Sequence, residues 1–160
     1  MKQVFSLAEV ALEKGELPIA ALLVLDDKVI ASSYTKEVSE KRFLVHAELN
    51  TLIEADKLGL SYPERRRCRL YANLEPCPMC FGASMSFFVG SVIFSLESPG
   101  DGASELIKNW ERQSQDIPGF VSPTVASGVL RSQSIELFKK YVTKHSKGPM
   151  WEWAKTLANL

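Results

Sequence analysis

This sequence of 160 residues has no long hydrophobic run, no excess of one charge and no even number of cysteines that could all pair in disulfides. The longest apolar runs, residues 19–25 and 87–94, are much shorter than the roughly 20 residues of a membrane-spanning helix, so no such helix is expected. Nineteen basic residues balance nineteen acidic ones, which excludes the global positive field that drives non-specific nucleic-acid binding. Three cysteines cannot form a closed disulfide framework.

The N-terminus also lacks the basic region, long apolar stretch and small-residue cleavage site that are typical of a signal peptide. We therefore expect a cytoplasmic protein whose cysteines stay reduced. Hydrophobic residues make up 46% of the chain, which is enough to build the core of an ordinary domain of this length. The sequence has no internal repeat or low-complexity linker, and it predicts one domain over residues 1–160.

Hydrophobic periodicity predicts helices alternating with strands. Apolar residues recur at helical spacing over residues 5–12, and two apolar runs flank the polar turn at 26–28, which indicates a hairpin. Residues 34–45 have no clean period and are expected to form a loop. The other predicted elements are a helix over 46–58, a strand over 68–74, a helix over 76–88, a strand over 91–96, a turn over 98–102, a helix over 103–113 and a helix over 132–146. This order predicts an α/β fold around a central sheet.

Two short motifs point to metal chemistry, namely His-Ala-Glu at residues 46–48 and Cys-Pro-Met-Cys at residues 77–80. Cys77 and Cys80 are three residues apart at a predicted helix start, so both sulfurs face one side and the helix end favours their thiolate form. His46 also begins a predicted helix, where side chains lean back toward the N-terminal end. The Cys-x-x-Cys pattern alone would also fit a redox pair or half of a structural zinc site.

The number of candidate ligands favours a catalytic zinc site. His46, Cys77 and Cys80 supply three protein ligands and leave the fourth tetrahedral position for water, whereas a structural site is normally closed by a fourth protein ligand. Bound zinc lowers the pKa of water from 15.7 toward about 7, which makes a nucleophile available at neutral pH. Glu48 lies at the same helix end as His46 and is the candidate acceptor of the water's proton.

The order H-x-E and then P-C-x-x-C is the signature of zinc-dependent base deaminases. The chain thus resembles the cytidine/deoxycytidylate deaminase superfamily, and residues 46–48, 74–80 and 82–83 resemble bacterial tRNA adenosine deaminases and guanine deaminases. The resemblance covers a core of about residues 5–97 and weakens over 98–160. It implies a cytidine-deaminase-like three-layer sandwich, in which helices cover both faces of a five-stranded mixed sheet. It also implies one Zn²⁺ per chain and a homodimer.

The same resemblance implies substrate contacts. Ile19 would line the base pocket, the Ala47 amide would contact the ring, and Glu75 would lie beside the substrate. In the relatives an asparagine commonly stands eleven residues before the zinc histidine and hydrogen-bonds the base, but this chain has Thr35 there. A hydroxyl cannot offer the same paired donor and acceptor.

Two further segments depart from these relatives. Arg-Phe-Leu-Val at residues 42–45 replaces the usual Asp-Pro-Thr-Ala before the motif, so we expect a rebuilt pocket rim. Ser-Pro-Gly-Asp-Gly at residues 98–102 replaces the charged loop that helps the tRNA enzymes hold the anticodon. Both departures disfavour RNA as the substrate.

We therefore expect a hydrolytic deaminase of a free nucleobase or nucleoside, in which Glu48 delivers protons to the ring nitrogen and to the departing ammonia. The alternative is a tRNA adenosine deaminase that makes inosine at the wobble position. The motif similarity and two basic clusters, the arginines at 65–67 and the lysines at 139–147, support this alternative. A remote alternative is a zinc-stabilised binding module without catalysis.

Two surface features also have ordinary explanations. A short charge run before a strand, such as residues 64–69, usually forms a solvated loop rather than an RNA-binding patch. Trp151 and Trp153 lie in an expected short tail, where they could cover a dimer interface, close over the pocket or, as we expect, simply pack against the core.

Overall fold

A computed structural model describes residues 1–111 and 119–160. Of the helix expected over 103–113, residues 104–108 are helical, residues 109–111 are not, and residues 112–113 lie outside the described part. The described elements are α1 (Lys2–Glu13), β1 (Ala20–Leu25), β2 (Lys28–Tyr34), α2 (Glu37–Glu40), α3 (Ala47–Asp56), α4 (Tyr62–Arg67), β3 (Arg69–Leu74), α5 (Pro78–Phe87), β4 (Ser91–Leu96), α6 (Ser104–Lys108), β5 (Thr124–Ala126), α7 (Arg131–Lys144) and α8 (Pro149–Ala158). None of the helices in these described ranges is both long and apolar enough to cross a bilayer.

The strands form one mixed sheet in the order β2-β1-β3-β4-β5. β1 pairs antiparallel with β2 and β3, while β4 pairs parallel with both β3 and β5. Asp26 and Asp27 connect β1 to β2 with φ angles of 46° and 64°, the combination found in a two-residue type I′ turn. The predicted hairpin and the five-stranded mixed sheet are both confirmed.

Helices cover both faces of this sheet. Along β1, Ala20 and Leu22 belong to a buried cluster that contains residues of α1 and α7, whereas Ala21 and Leu23 belong to a cluster that contains residues of α3 and α5. α1 contacts α7 on the first face, and α3 contacts α5 on the second. Successive strand residues point to opposite faces, so a fully apolar β1 is the pattern of a strand buried on both sides.

The chain brings two helix starts to one end of the sheet, at the carboxyl ends of β3 and β4. We call this end the site-bearing edge. β3 ends at Leu74, and after the three residues 75–77 α5 begins and leads back to the parallel strand β4. The Glu75 amide donates to the Leu96 carbonyl at 2.8 Å, which continues the β3–β4 pairing to this edge. β1 is antiparallel to β3, so it starts at the same edge, where α3 also begins.

Two segments are more ordered than the sequence pattern predicted. The expected loop over 34–45 contains the single turn α2. The solvated loop expected over 64–69 is wrong, because residues 64–67 belong to α4 and Arg69 begins β3. Ser61 and Glu64 form a capping box, in which the Ser61 amide donates to the Glu64 carboxylate at 2.8 Å. This reciprocal capping supplies acceptors for the first turn of α4 and stabilises a helix within the charged run.

The expected short tail is also wrong, because residues 149–158 form the ten-residue helix α8. Ala154, Leu157 and Ala158 are buried and recur at the i, i+3 and i+4 spacing of an amphipathic helix. α8 packs against α7, so the end of the chain becomes part of the core beside the site-bearing edge. β5 has only three residues, too few for a period-two pattern to reveal it in the sequence.

Asn73, on β3, connects this strand to β1 and to the segment before β1, next to the site-bearing edge. We predict that Asn73→Ala lowers the free energy of unfolding by about 2–4 kcal/mol. Its fully buried side chain accepts from the Ala20 amide at 2.8 Å and donates to the Pro18 carbonyl at 2.8 Å. Alanine leaves both backbone groups buried without a partner. Urea unfolding at fixed zinc concentration measures the change.

Asn159→Ala is the matched control, because the Asn159 side chain donates only to the Lys155 carbonyl on the exposed surface. We expect this control to stay within about 0.5 kcal/mol of the parent protein. If Asn73→Ala were equally mild, Asn73 would not link these elements energetically.

Candidate active site

Three metal-binding side chains converge at the site-bearing edge. His46 is the residue immediately before α3, Cys77 immediately precedes α5, and Cys80 lies in the first turn of α5. The Nδ1 atom of His46 lies 3.6 Å from the Sγ atom of Cys77 and 3.6 Å from the Sγ atom of Cys80. The three ligand atoms all lie within 4.8 Å of one another.

These distances fit zinc. A tetrahedral ion with Zn–S bonds of about 2.3 Å and a Zn–N bond of about 2.05 Å separates nitrogen and sulfur by about 3.6 Å. Both nitrogen–sulfur distances in the protein have this value. Within the described ranges, His46, Cys77 and Cys80 form a three-ligand cluster without a fourth His, Cys, Asp or Glu ligand. The donor set therefore fits a catalytic centre that keeps one position open.

The ligands also polarise one another. Hydrogen bonds from Cys80 and then from His46 lower the pKa of the Cys77 thiol to about 4. The same contact with Cys77 raises the pKa of His46 to about 9. The pKa of Cys80 is raised because its thiol shares a proton with Cys77 and because it is buried. His46 and Cys80 would have to give up their protons to hold zinc, so metal binding would be coupled to proton release.

Glu48 lies two residues after His46, in the first turn of α3, and is 3% exposed. Its Oε2 atom is 3.6 Å from the Sγ atom of Cys80, which puts the carboxylate beside the metal cluster. Burial raises the pKa of Glu48 to about 7, partly offset by its hydrogen bond with a backbone amide. A carboxyl group whose pKa lies near neutrality can both accept and return a proton, as general acid–base catalysis requires.

The cluster of metal-binding side chains borders a cavity of about 200 Å³. This volume is below the roughly 300–1,000 Å³ of pockets for drug-sized ligands, so it suits one small ring system. The sequence-predicted residues that line it are Ile19, Thr35, His46, Ala47, Glu48, Glu75 and Cys77. Folding thus brings the predicted substrate contacts and the predicted metal ligands to one place, with Cys80 buried behind the wall.

Thr35 and Ala47 occupy the wall of this cavity in different ways. The Thr35 amide donates to the Ile19 carbonyl at 3.0 Å, and its hydroxyl lies 3.2 Å from both the Val45 carbonyl and a Glu37 carboxylate oxygen. The Thr35 hydroxyl proton is therefore engaged within the protein. Ala47 is the first residue of α3, where amides have no acceptor inside the helix. Its contact with the substrate ring stays a prediction.

Glu75 has a structural task in addition to its place in the cavity wall. One carboxylate oxygen accepts from the Ser98 amide at 2.9 Å and the other from the Ser104 amide at 2.9 Å. A Cβ atom at Gly102 would come within 2.2 Å of the Glu75 carboxylate, so this loop position requires glycine. Glu75 thereby holds the 98–104 segment against the cavity, and its direct contact with substrate stays a prediction.

Sequence reasoning missed several residues of the cavity wall. Glu37 and Asp101 each contribute an acidic side chain, while Leu17, Leu74, Met150 and Trp153 add apolar surface. No local pattern singles out Glu37, because it lies in a segment without periodicity. The rim segment 42–45 is absent from the described wall, and Phe43 and Leu44 are instead 87% and 63% exposed.

The two tryptophans of α8 have different environments. The Trp151 ring nitrogen donates to the Val142 carbonyl at 3.0 Å, so this side chain holds α8 against α7. Trp153 packs edge-on against Phe138, with ring centroids 6.0 Å apart, and also lines the cavity. Trp153 therefore packs against the core, as expected, and also lines the cavity, whereas Trp151 contacts α7.

The three cysteines allow a matched test of the metal cluster. Cys80→Ala removes one of three zinc ligands, and we expect the purified protein to fall from one zinc per chain to well below one. Cys68→Ala should retain a full equivalent, because the buried Cys68 thiol donates to the Glu64 carbonyl away from the cluster. Atomic absorption on dialysed protein gives the ratio. Equal zinc content in the two variants would contradict this ligand assignment.

Comparison with known proteins agrees with this geometry. Residues 1–96 match the family described as the cytidine and deoxycytidylate deaminase zinc-binding region. The tRNA-specific adenosine deaminase of Bacillus subtilis is 34% identical over 146 residues, which cover 88% of this chain and 89% of that protein.

Solved structures share the fold as well. A structure from work on A-to-I editing deaminases of the tRNA wobble position has a TM-score of 0.71 and 31% identity, and the match covers 86% of this chain and 96% of that one. A guanine deaminase of Nitrosomonas europaea has a TM-score of 0.66 and 24% identity, covering 88% and 81%. With its zinc-compatible cluster and its family match over residues 1–96, this chain belongs to the cytidine and deoxycytidylate deaminase zinc-binding family.

Proposed function

We propose that this zinc-dependent hydrolytic deaminase acts on a free nucleobase or nucleoside, replacing an exocyclic amine with oxygen and releasing ammonia. The observation that carries the proposal is the buried Glu48 carboxylate beside the His46, Cys77 and Cys80 cluster, at the wall of a cavity that suits one small ring. The family membership supports the reaction class, and the cavity supports the choice of substrate.

The proposed chemistry assigns the proton movements to Glu48. Zinc, when bound by His46, Cys77 and Cys80, supplies the acidity that makes water a nucleophile at neutral pH. The Glu48 carboxylate accepts one proton of that water and delivers it to the ring nitrogen next to the amine-bearing carbon. The water oxygen forms a bond to this carbon, and the carbon–nitrogen bond then breaks. Glu48 carries the second water proton to the leaving amine, which departs as ammonia.

The charge of the cavity favours an uncharged substrate. Glu37 and Asp101 contribute carboxylates to the wall, and no Lys or Arg is among the described residues that line it. A substrate phosphate at this mouth would meet like charges, and two unit charges 4 Å apart repel by about 1 kcal/mol even in water. A free base or nucleoside carries no such group.

The arginine cluster lies far from this cavity. Arg65–Arg67 precede the amino end of β3, whereas Cys77 follows its carboxyl end, and a six-residue strand spans about 20 Å. Arg65 pairs with Asp56 at 2.8 Å, and Arg67 pairs with Asp26 at 3.0 Å. This arrangement supports a surface role in α4 rather than contact with an RNA held at the metal centre.

A second candidate is editing of adenosine in tRNA. It is favoured by the 34% identity to a tRNA-specific adenosine deaminase over 88% of the chain. Phe43 and Leu44 add to this case, because they stand exposed on the loop that leads into His46 and an exposed aromatic ring is a surface on which a base can stack. Ammonia release from free bases and nucleosides, compared with release from an anticodon stem-loop, separates the two candidates.

We predict that Glu48→Gln lowers the rate of ammonia release by at least about 100-fold, because the proton carrier is lost while the shape of the side chain is kept. Ammonia release is measured on a panel of nucleobases, nucleosides, nucleoside monophosphates and an anticodon stem-loop. Glu54→Gln is the matched control, since Glu54 lies on the same helix and pairs with Lys57 at the surface. This control should keep the parent rate.

The pattern across the panel tests the substrate. We expect turnover of at least one free base or nucleoside, and about tenfold lower kcat/KM for the corresponding monophosphate, because its phosphate would meet the carboxylates of Glu37 and Asp101. Turnover of the stem-loop alone would replace the proposal with tRNA editing. If no substrate released ammonia while Glu48→Gln still bound zinc, the chain would act as a zinc-stabilised binding module.

We further propose that the protein is a homodimer and that it lies in the cytoplasm, where the thiol ligands stay reduced. Supporting this assembly is an open groove between α3 and α5, lined by Leu49, Ile53, Ala83 and Phe87, in which Ile53 is 48% exposed. A second copy covering this groove would bury the exposed apolar surface. Light scattering should give twice the chain mass of 17.8 kDa, and Ile53→Glu should shift it toward one chain. A monomeric parent protein would exclude the dimer.

A further inference from the structure

The two ring nitrogens of His46 have different neighbours. Nδ1 lies 3.6 Å from both cysteine sulfurs, so it is the nitrogen that faces the metal position. On the other side of the ring, Nε2 lies 3.7 Å from the Oε1 atom of Glu37. A neutral imidazole has one N–H and one bare nitrogen, and the partner of the N–H determines which nitrogen is free to bind a metal.

We propose that Glu37 is a positioning residue that accepts the Nε2 proton of His46 and so holds Nδ1 bare and directed at zinc. A side-chain adjustment of about 0.8 Å shortens the 3.7 Å contact to an ordinary hydrogen bond of about 2.9 Å. A carboxylate in this position also makes the ligating imidazole more basic. The inference rests on the proposed function only for the presence of zinc at this centre.

The Glu37 side chain is held where this role needs it. It is 19% exposed, and its second oxygen, Oε2, lies 3.2 Å from the Thr35 hydroxyl, which can donate to it. Glu37 lies on α2, and the buried Glu16 carboxylate holds this helix in place. Glu16 accepts a hydrogen bond from the Val38 amide at 2.9 Å and another from the Ser39 amide at 2.8 Å. Glu16 fixes the first turn of α2, and this turn carries Glu37.

A second role for Glu37 would be direct contact with the substrate, because the residue also lines the cavity. The two roles differ in what they change. A substrate contact alters KM and leaves zinc affinity intact, whereas a positioning residue alters zinc affinity and the electronic environment of the metal. The difference can be measured without any substrate.

The test compares Glu37→Ala and Glu37→Gln with the parent protein. We expect the zinc dissociation constant, measured by competition with a chelator, to rise 10- to 100-fold in Glu37→Ala. The rise should be smaller in Glu37→Gln, since its amide oxygen still accepts the Nε2 proton. The visible spectrum of the cobalt-substituted protein should change in the alanine variant, and kcat should fall more than KM rises.

Glu40→Ala is the matched control, because Glu40 lies on the same helix but pairs with Arg42 on the surface at 3.0 Å. This variant should keep the parent's zinc affinity and spectrum. The proposal is overturned if Glu37→Ala binds zinc within twofold of the parent and keeps the cobalt spectrum, whether or not KM rises. If Glu37→Ala does not fold, Glu37→Leu replaces it, because leucine keeps much of the side-chain volume but has no hydrogen-bond acceptor; zinc affinity within twofold of the parent and an unchanged cobalt spectrum in that variant overturn the proposal.

The outcome is separable from that of the proposed function. Zinc affinity and the cobalt spectrum are read without substrate, so a loss of affinity in Glu37→Ala supports the positioning role even if no base on the panel is deaminated. Conversely, ammonia release by a Glu37→Ala protein with parent zinc affinity leaves the proposed function standing and removes this inference.

Discussion

Two helix starts converge on one position that suits a tetrahedral metal ion, and the rest of this site depends on that convergence. His46 comes from the start of α3 and the cysteines from the start of α5, and their ligand atoms are spaced as zinc requires. Such a meeting needs both helices to begin at the same edge of the sheet. The parallel pairing of β3 with β4 and the antiparallel pairing of β1 with β3 provide that edge.

Three buried carboxylates near this edge have different partners. Glu16 and Glu75 each accept two hydrogen bonds from other residues' amides, so each holds a loop or a short helix in place. Glu48 is equally buried but faces the metal cluster, and burial raises its pKa to about 7. Among the described residues, Glu48 has no such pair of amide partners from other residues, and its carboxylate lies beside the Cys80 sulfur instead.

Some differences between prediction and structure concern signals that were present in the sequence. Ser61 and Glu64 have the spacing of a capping box, and they stabilise α4 despite the run of charges that follows. Ala154, Leu157 and Ala158 have the spacing of an amphipathic helix, and they make α8 a part of the core. Local periodicity also located α1, the hairpin, α3, β3, α5, β4 and α7 with small errors at their ends.

The sequence by itself identified the candidate zinc ligands His46, Cys77 and Cys80 and the candidate proton carrier Glu48, because the spacing inside each short motif is set within one helical turn. The pairing of β1, β3 and β4 decided that the two motifs meet. The tertiary structure alone decided what surrounds them. Glu37, Asp101 and Trp153 reach the cavity from segments far apart in the chain. Their meeting depends on strand order and helix packing, which are non-local, and no spacing in the sequence records such contacts.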